Sequence, residues 1–196
     1  MKKQWEILLI RHGATAANKD KCYLGQTDQP LSEEGRQMLM ALQQKYPPAE
    51  IFFSSPMLRC METCQILYNP QKIHVIEAWR EIDFGDFEGK NYRDLRGDAR
   101  YQAWIDSNGT LAFPNGESRE DFIRRSRSGF EQMVARMKKE EDGKNVACIV
   151  HGGTIMALLS FYCGGEYYDY LCKNGEGYRC RVTEDGGICQ VEPFRT

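Results

Sequence analysis

The sequence has no apolar run long enough to cross a membrane and no large excess of charge of either sign. Its 26 lysines and arginines stand against 28 aspartates and glutamates, for a formal net charge of -2 and a pI near 6.0. A membrane-spanning helix needs about 20 apolar residues, and nucleic-acid binding relies on clustered Lys and Arg. We therefore expect no membrane and no nucleic acid among its partners, and only local recognition of anions.

The sequence also lacks the ligand spacings of a structural metal site. It contains three histidines and eight cysteines, and no two cysteines form a CxxC pair. Zinc sites are typically built from such ligands at short spacings along the chain. We therefore expect no bound metal.

A secretory signal is not evident in the N-terminal run MKKQWEILLI, because Trp5 and Glu6 interrupt its short apolar stretch. We therefore expect a cytoplasmic protein whose thiols stay reduced. Cys60 and Cys64 share the apolar stripe of a predicted helix, and Cys148 lies within a predicted strand. The cysteines are expected to be buried thiols of the core.

Predicted strands and helices alternate along the chain. Strands are predicted at 6–10, 51–53, 73–76, 146–150, 178–183 and 187–192, and helices at 32–46, from Ser55, from Ser118 to near Gly143, and at 154–162. Elements that alternate in this way fold as layers around a mostly parallel sheet. With 196 residues and no linker or repeat, the chain predicts a single domain over residues 1–196, a three-layer α/β/α sandwich.

Two of the predicted strands end in the same way. The first runs into Arg11-His12-Gly13, and a later one runs into His151-Gly152. In open α/β sheets, ligands bind beyond the carboxyl ends of neighbouring strands, and glycine lets the backbone approach a ligand closely. The repeated ending predicts that both histidines lie in one binding site.

Two arginines are expected beside these histidines. Arg59 falls in or just after the first turn of a helix, where its guanidinium would join the positive end of that helix. Together with Arg11 it suits a phosphoryl group, whereas the carboxylates that catalytic magnesium needs are not clustered. Neighbouring positive charge lowers the pKa of a histidine and leaves a ring nitrogen free to attack phosphorus. His12, in the tighter loop, is the better candidate nucleophile and His151 the better ligand for the transferring group, although the sequence alone allows these roles to be exchanged.

A general acid is expected in the acidic and aromatic segment 80–89. A carboxyl group that aromatic rings desolvate has a raised pKa, as proton donation to a leaving group requires. The candidates are Glu81, Asp83, Asp86 and Glu88. Physical reasoning does not choose among them. We expect the wider segment 79–117 to cover the substrate, and His74, with apolar neighbours in a predicted strand, to be structural.

Five spaced motifs resemble one family. They are LIRHG, GQTDQPLSEEG, SSPMLRCMET, EIDFGDFEG and VHGGT, which follow in this order over nearly the whole chain. The sequence is similar to the histidine phosphatase superfamily, which implies the phosphoglycerate-mutase-like form of the α/β fold. The resemblance implies that His12 is the phosphorylated nucleophile and that Glu81 is the general acid and base. The other implied site residues are Arg11, Arg59 and His151 on the phosphoryl group and Asn18, Gly25 and Gly152 on the substrate. No metal or organic cofactor is implied.

Two departures from the mutases of this family favour hydrolysis over return of the phosphate. Leu24 stands where the mutases usually have a small hydroxyl residue, and Asp83-Phe84-Gly85 stands in place of an R-x-YG run. The stretch 101–118 and the EIDFGDFEG run are most similar to α-ribazole phosphatases of cobalamin nucleotide-loop assembly. The resemblance therefore implies a phosphomonoester hydrolase that acts through a phosphohistidine on α-ribazole 5'-phosphate.

The same residues permit other functions. His12 chemistry also allows phosphate transfer within phosphoglycerate, and broad-specificity or sugar-phosphate phosphatases share part of the pattern. A non-catalytic phosphate-binding domain is disfavoured, because the cationic residues and Glu81 are all present. The expected partner is a small phosphorylated metabolite, and the sequence fixes neither the physiological substrate nor the oligomeric state.

Overall fold

A single mixed sheet organises the computed structural model, which describes residues 3–140 and 144–196. Its strands within these residues are β1 (Gln4–Arg11), β2 (Ile51–Ser54), β3 (His74–Val75), β4 (Asn145–Val150), β5 (Gly177–Thr183) and β6 (Ile188–Phe194). The strand order is β3-β2-β4-β1-β5-β6. The first four strands in this order run parallel, whereas β5 is antiparallel to both β1 and β6. The predicted α/β class with a mostly parallel sheet is confirmed.

Helices follow most of the strands. They are α1 (Ala16–Lys19), α2 (Glu33–Leu42), α3 (Leu58–Tyr68), α4 (Ala99–Asp106), α5 (Arg119–Met137) and α6 (Gly152–Cys163). Short 3₁₀ turns lie at Gln43–Lys45, Glu77–Trp79, Gly85–Phe87 and Tyr167–Tyr170. No helix within the described ranges has the length and apolar character needed to cross a bilayer.

The alternation of side chains along β1 builds the three layers. Ile7 and Leu9 belong to one apolar cluster, together with residues of α5 and α6. Leu8 and Ile10 belong to a second cluster, together with residues of α2 and α3. Successive strand residues point to opposite faces of a sheet, so β1 is buried from both sides and the helices form the two outer layers.

Some predicted boundaries were wrong. The helix predicted from Ser55 begins at Leu58 with Met57 as its N-cap, because Ser55 instead hydrogen-bonds to Ile149 through its backbone and to His151 through its side chain. The helix predicted to continue to near Gly143 ends at Met137, and Gly143 itself lies outside the described residues.

Two helices were missed entirely by sequence reasoning, the single-turn α1 and the longer α4. Asp98 caps α4 by accepting a hydrogen bond from the Arg100 amide, yet no residue of α4 is fully buried. A helix that buries no complete face leaves only a weak apolar period in the sequence, so the pattern did not identify it.

The cysteines only partly follow the expectation of buried thiols. Cys60, Cys64 and Cys148 are buried as predicted, and none of the eight is bonded to another. The expectation was wrong for Cys22, which is only half-buried, and for Cys163 and Cys189, which are exposed because they lie at the end of α6 and on the edge strand β6.

A third apolar cluster holds the segment 79–117 against α5 and α6. Its buried members are Ile82, Phe87, Leu95, Phe113, Phe122 and Ala157. Next to it, the fully buried ring of Trp79 packs on Gly129 of α5 and donates its indole N–H to the Ser126 carbonyl at 3.2 Å. The glycine lets α5 approach this segment closely, which places the segment beside the carboxyl edge of the sheet.

We expect Gly129→Ala to destabilise the protein, although alanine is normally the better residue within a helix by about 1 kcal/mol. A methyl group there would lie 2.7 Å from the Trp79 ring and 2.9 Å from Ile76. Overpacking of this kind costs more than the helix gains, so the free energy of unfolding should fall by about 1–2 kcal/mol. Urea unfolding measures the change, with Ser128→Ala on the exposed face of α5 as the matched control. An unchanged or higher midpoint for Gly129→Ala would show that the Trp79 contact relaxes without cost.

Candidate active site

The pairing of β1 with β4 brings the two histidines together. The strands are parallel neighbours, with Arg11 opposite Val150, so His12 and His151 leave the sheet side by side. Their ring centroids lie 5.2 Å apart with an angle of 68° between the ring planes. The two similar strand endings seen in the sequence therefore meet at one point.

Hydrogen bonding defines the tautomer of His12. Its Nδ1 lies 2.7 Å from the carbonyl oxygen of Gly13, and because a carbonyl only accepts, Nδ1 carries the proton. The Nε2 of the neutral ring consequently keeps its lone pair. Burial, followed by the positive charges of Arg59 and Arg11, lowers the pKa of His12 well below its ordinary value. The ring is therefore neutral, and Nε2 is a competent nucleophile, at neutral pH.

His151 is fully buried at the N-terminus of α6, where it forms the N-cap. Its Nε2 lies 2.8 Å from the hydroxyl oxygen of Ser55. Burial and the charge of Arg59 lower its pKa well below the ordinary value, and the neighbouring His12 acts in the same direction. Gly152 and Gly153 begin α6 immediately after it and line the cavity, so the first amides of the helix, which have no partner within it, face the same region.

Two arginines lie against the histidines, each fixed by backbone carbonyls. Arg59 is fully buried and donates to the carbonyls of Thr27 at 3.0 Å and Gly25 at 2.9 Å. Arg11 donates from Nη1 to the Cys172 carbonyl at 2.7 Å. The Nε–H of each arginine is buried with no partner among the described residues. Unsatisfied buried donors of this kind are rare in proteins, and an anion bound beside them would be well placed to satisfy them.

The amide of Asn18 is oriented by its hydrogen bonds. Its Oδ1 accepts from the backbone N–H of Thr15 at 3.1 Å and from the Nδ2 of Asn174 at 3.2 Å, so its own NH₂ group is the end left to donate. Asn174 also donates to the His12 carbonyl at 2.9 Å. Sequence reasoning missed Asn174, which contacts both the loop that carries His12 and the side chain of Asn18, because no motif marks the loop between α6 and β5.

Among the acidic candidates, the structure singles out Glu81. Its side chain lies in the cavity wall, is buried and accepts the backbone N–H of Ile82 at 2.9 Å. Burial raises its pKa, against the opposing effects of that hydrogen bond and of Arg59 and Arg11. A carboxyl group with a raised pKa can hold and deliver a proton near neutral pH.

The other three carboxylates are engaged elsewhere and do not line the cavity. Asp83 accepts the Gly85 amide at 2.8 Å, and Asp86 pairs with Arg100 at 2.7 Å. Glu88 accepts the amide of Gly25 at 2.8 Å.

A cavity of about 300 Å³ opens above His12. Its polar lining includes Arg11, Asn18, Glu81, Gly152 and Arg119. Six aromatic residues form a large part of the remaining wall: Tyr23, Phe84, Trp104, Phe113, Tyr167 and Tyr168. Three of these rings come from the segment 79–117, and the ring of Tyr23 lies 5.0 Å from that of Phe84. The cavity thus has a cationic floor and an aromatic upper wall.

Three of the predicted site residues lie behind this lining. Arg59 and His151 are fully buried and do not belong to the lining, and the His151 ring lies against that of His12. Gly25 accepts a hydrogen bond from Arg59, and a Cβ at this position would lie 2.1 Å from the Ile82 carbonyl oxygen. Gly25 therefore supports Arg59 in this arrangement. His74 lies on β3 at the far edge of the sheet, away from the cavity.

No group of three or more potential metal ligands is found within the described part of the chain. The site is thus built from histidine, arginine, one amide and one carboxyl group, a set that fits a phosphoryl group and its transfer.

Comparison with known proteins agrees with this chemistry. The family model described as "Histidine phosphatase superfamily (branch 1)" matches residues 7–190. The adenosylcobalamin/α-ribazole phosphatase of Salmonella typhimurium is 28% identical over 160 residues, covering 79% of this chain and 77% of that protein. The 2,3-bisphosphoglycerate-dependent phosphoglycerate mutase 2 of Gloeobacter violaceus is 30% identical, covering 78% and 73%.

A solved structure of similar fold is that of a putative α-ribazole-5'-P phosphatase from Escherichia coli. The TM-score is 0.81 at 22% identity, with 98% of this chain and 96% of that chain covered. This likeness establishes the fold, and the family match covers most of the chain. The chain therefore belongs to the histidine phosphatase superfamily, branch 1, and is a phosphatase of the phosphoglycerate-mutase-like fold.

Proposed function

We propose that this protein hydrolyses a phosphomonoester through a phosphohistidine on Nε2 of His12, and that its substrate is α-ribazole 5'-phosphate. The observation that carries the proposal is the fixed tautomer of His12. Nδ1 is held by Gly13, so Nε2 offers its lone pair at the floor of a cavity that Arg11, Asn18 and Glu81 also line.

In the first half-reaction, the Nε2 lone pair of His12 attacks phosphorus and the bond from phosphorus to the ester oxygen breaks. The departing oxygen takes the proton of Glu81. Arg11, Arg59, Asn18, His151 and the start of α6 stabilise the negative charge of the phosphoryl oxygens. The phosphorylated ring becomes cationic, and the Gly13 carbonyl, 2.7 Å from Nδ1, stabilises that charge.

In the second half-reaction, Glu81 is the base. Its carboxylate takes a proton from water, the water oxygen attacks phosphorus, and the bond between phosphorus and Nε2 breaks. Inorganic phosphate leaves, and both Glu81 and His12 return to their starting protonation states. One carboxyl group with a raised pKa can serve both steps because each step reverses the proton transfer of the other.

The aromatic wall supports a substrate with a flat ring system. A cavity of about 300 Å³ lined by six aromatic side chains suits a heterocyclic base, which stacks favourably on such rings. Relatives named as α-ribazole phosphatases point to the same substrate. The expectation that the segment 79–117 covers the substrate is part of this proposal, since it supplies Phe84, Trp104 and Phe113 to the wall.

Phosphate transfer within phosphoglycerate is the second candidate, and Arg119 is the feature that favours it. Its guanidinium lies in the cavity wall, where it could meet a substrate carboxylate. It already donates to the Asn108 carbonyl, however, and stacks 4.7 Å from the Tyr167 ring centroid. Leu24 in the same wall offers no hydrogen bond to a carboxylate, so hydrolysis of an aromatic substrate remains the better fit.

We expect His12→Ala to reduce phosphate release from α-ribazole 5'-phosphate by about a thousandfold or more, because no other residue replaces the nucleophile. Release should be measured with chelator present, alongside 3-phosphoglycerate as the competing substrate. His74→Ala is the matched control and should leave the rate unchanged. Equal release from both substrates would refute the substrate assignment, and formation of 2-phosphoglycerate without free phosphate would identify a mutase.

We expect Glu81→Gln to lower activity and raise stability at the same time. The pKa of Glu81 is raised in the folded protein, so the folded state loses stability as pH rises through that value and the buried group ionises. Glutamine does not ionise and so avoids this loss of stability. The melting temperature of the variant should therefore be clearly above that of wild type at about pH 8, and much less so at about pH 5. Its turnover should fall by about 10²–10⁴-fold.

The exposed Glu77→Gln is the control for this pair of measurements. It should show neither the loss of turnover nor a gain in stability that increases with pH. If Glu81→Gln were equally or less stable than wild type at the higher pH, the buried carboxyl would not carry the raised pKa on which its role as acid depends.

A further inference from the structure

Arg125, on the side of α5 that contacts the segment 79–117, uses every N–H donor of its guanidinium. Nε and Nη2 bind the two carboxylate oxygens of Glu117 at 2.8 and 2.7 Å. Nη1 donates to the carbonyls of Ala78 at 2.9 Å and Arg80 at 2.7 Å, and Nη2 donates to the carbonyl of Glu81 at 3.0 Å. A guanidinium has five N–H donors in a fixed plane, so this arrangement leaves it a single geometry.

The three carbonyls belong to the segment that carries the general acid. Residues 78–81 leave a short 3₁₀ turn and enter neither a helix nor a strand, so no ladder of backbone hydrogen bonds fixes them. Within the described residues, the carbonyls of Ala78 and Arg80 accept hydrogen bonds from Arg125 alone, and that of Glu81 also accepts one from Gln26 at 2.7 Å. The backbone conformation of the residues that lead to Glu81 therefore depends on Arg125.

Glu117 fixes the segment on the other side of Glu81. Its backbone N–H donates to the Asp83 carbonyl at 2.9 Å, and its carboxylate accepts the Asp83 amide at 3.3 Å. The Glu117 carboxylate that binds Arg125 thus also binds the backbone at Asp83, two residues after Glu81. Arg125 and Glu117 together bracket Glu81 from both sides.

The aromatic ring beneath this ion pair connects it to the carboxyl group itself. The Arg125 guanidinium lies 4.9 Å from the ring centroid of Phe122. Phe122 and the Glu81 carboxylate both crowd Gly153, where a Cβ would lie 3.0 Å from the ring and 2.4 Å from the carboxylate oxygen. Backbone and side chain of Glu81 are consequently held by one connected set of contacts.

We propose that Arg125, held by its ion pair with Glu117, is a positioning residue that fixes the Glu81 carboxyl group where it can transfer a proton. The inference rests on the proposed function and extends it to residues that touch neither substrate nor reacting atoms. Glu81 must reach the leaving oxygen in one half-reaction and water in the other, and a shift of about 1 Å in such a group can cost about 100-fold in rate.

The test compares two substrates in the formation of the phosphohistidine, measured in the first turnover by rapid quench. Benzyl phosphate has an alkoxide leaving group that needs the proton of Glu81. p-Nitrophenyl phosphate has a leaving group stable enough to depart without one. For Arg125→Gln we expect formation to slow by about 100-fold with benzyl phosphate and only slightly with p-nitrophenyl phosphate.

Three further variants sharpen the comparison. Arg125→Lys keeps the charge but has no planar fork to reach the same acceptors, so it should show the same selective loss. Arg124→Gln is the matched control, since Arg124 is an exposed neighbour paired with Asp121 on the same helix, and it should change neither rate. In a Glu81→Gln background, Arg125→Gln should add no further loss with benzyl phosphate.

A merely structural role for Arg125 predicts different results. Equal slowing with both substrates in the folded variants, or a full additional loss in the Glu81→Gln background, would overturn the inference. If Arg125→Gln does not fold, Arg125→Lys and Glu117→Gln decide by the same substrate comparison. Failure of the proposed function is seen separately, because wild type would then form no phosphohistidine from either substrate.

Discussion

The parallel pairing of β1 with β4 is the interaction on which the site depends. It places His12 and His151 at adjacent strand ends, with ring centroids 5.2 Å apart. Both strands are buried on both faces, so a slip in their register would disrupt the close packing of the apolar clusters on each side. The positions of the two histidines are therefore fixed by the buried centre of the sheet, and the surrounding segments add the charges of Arg11 and Arg59.

Electrostatics then gives each group its chemical state. Buried beside Arg59 and Arg11, the two histidines are kept neutral, while burial keeps Glu81 able to hold a proton. Among the described residues, no acidic side chain forms an ion pair with Arg11 or Arg59, and the Nε–H of each is buried without a partner, an arrangement that favours binding of a phosphoryl group. Replacing Glu81 should stabilise the fold for a separate reason, because burial disfavours its ionised carboxylate, and it should impair the reaction proposed for this site.

Sequence could predict the parts of the site that follow directly from strand ends. The repeated endings at His12 and His151 and the helix start at Arg59 required only periodicity and the rule that ligands bind at the carboxyl edge of parallel strands. Choosing Glu81 among four acids required either the family resemblance or the structure, because all four share one short segment.

The remaining features depend on contacts between distant parts of the chain. Asn174 reaches His12 across 162 positions, and Arg125 reaches Glu81 across 44. In the sequence, Arg125 is one of several arginines of a predicted helix. The spacing of apolar residues along that helix does not distinguish it from its exposed neighbour Arg124. Packing decides which of them faces Glu81, and the close approach of Gly129 to Trp79 is a part of that packing that no local pattern reveals.

The central claim is that phosphate passes through Nε2 of His12 and no other atom. The most direct measurement is to stop turnover with alkali, which preserves phosphohistidine, and to locate the phosphoryl group by peptide mass spectrometry and ³¹P NMR. The account predicts one phosphoryl group per chain, on the peptide that contains His12 and on Nε2 of its ring. Phosphate on His151, on Nδ1, or on no residue of the protein during turnover would contradict it.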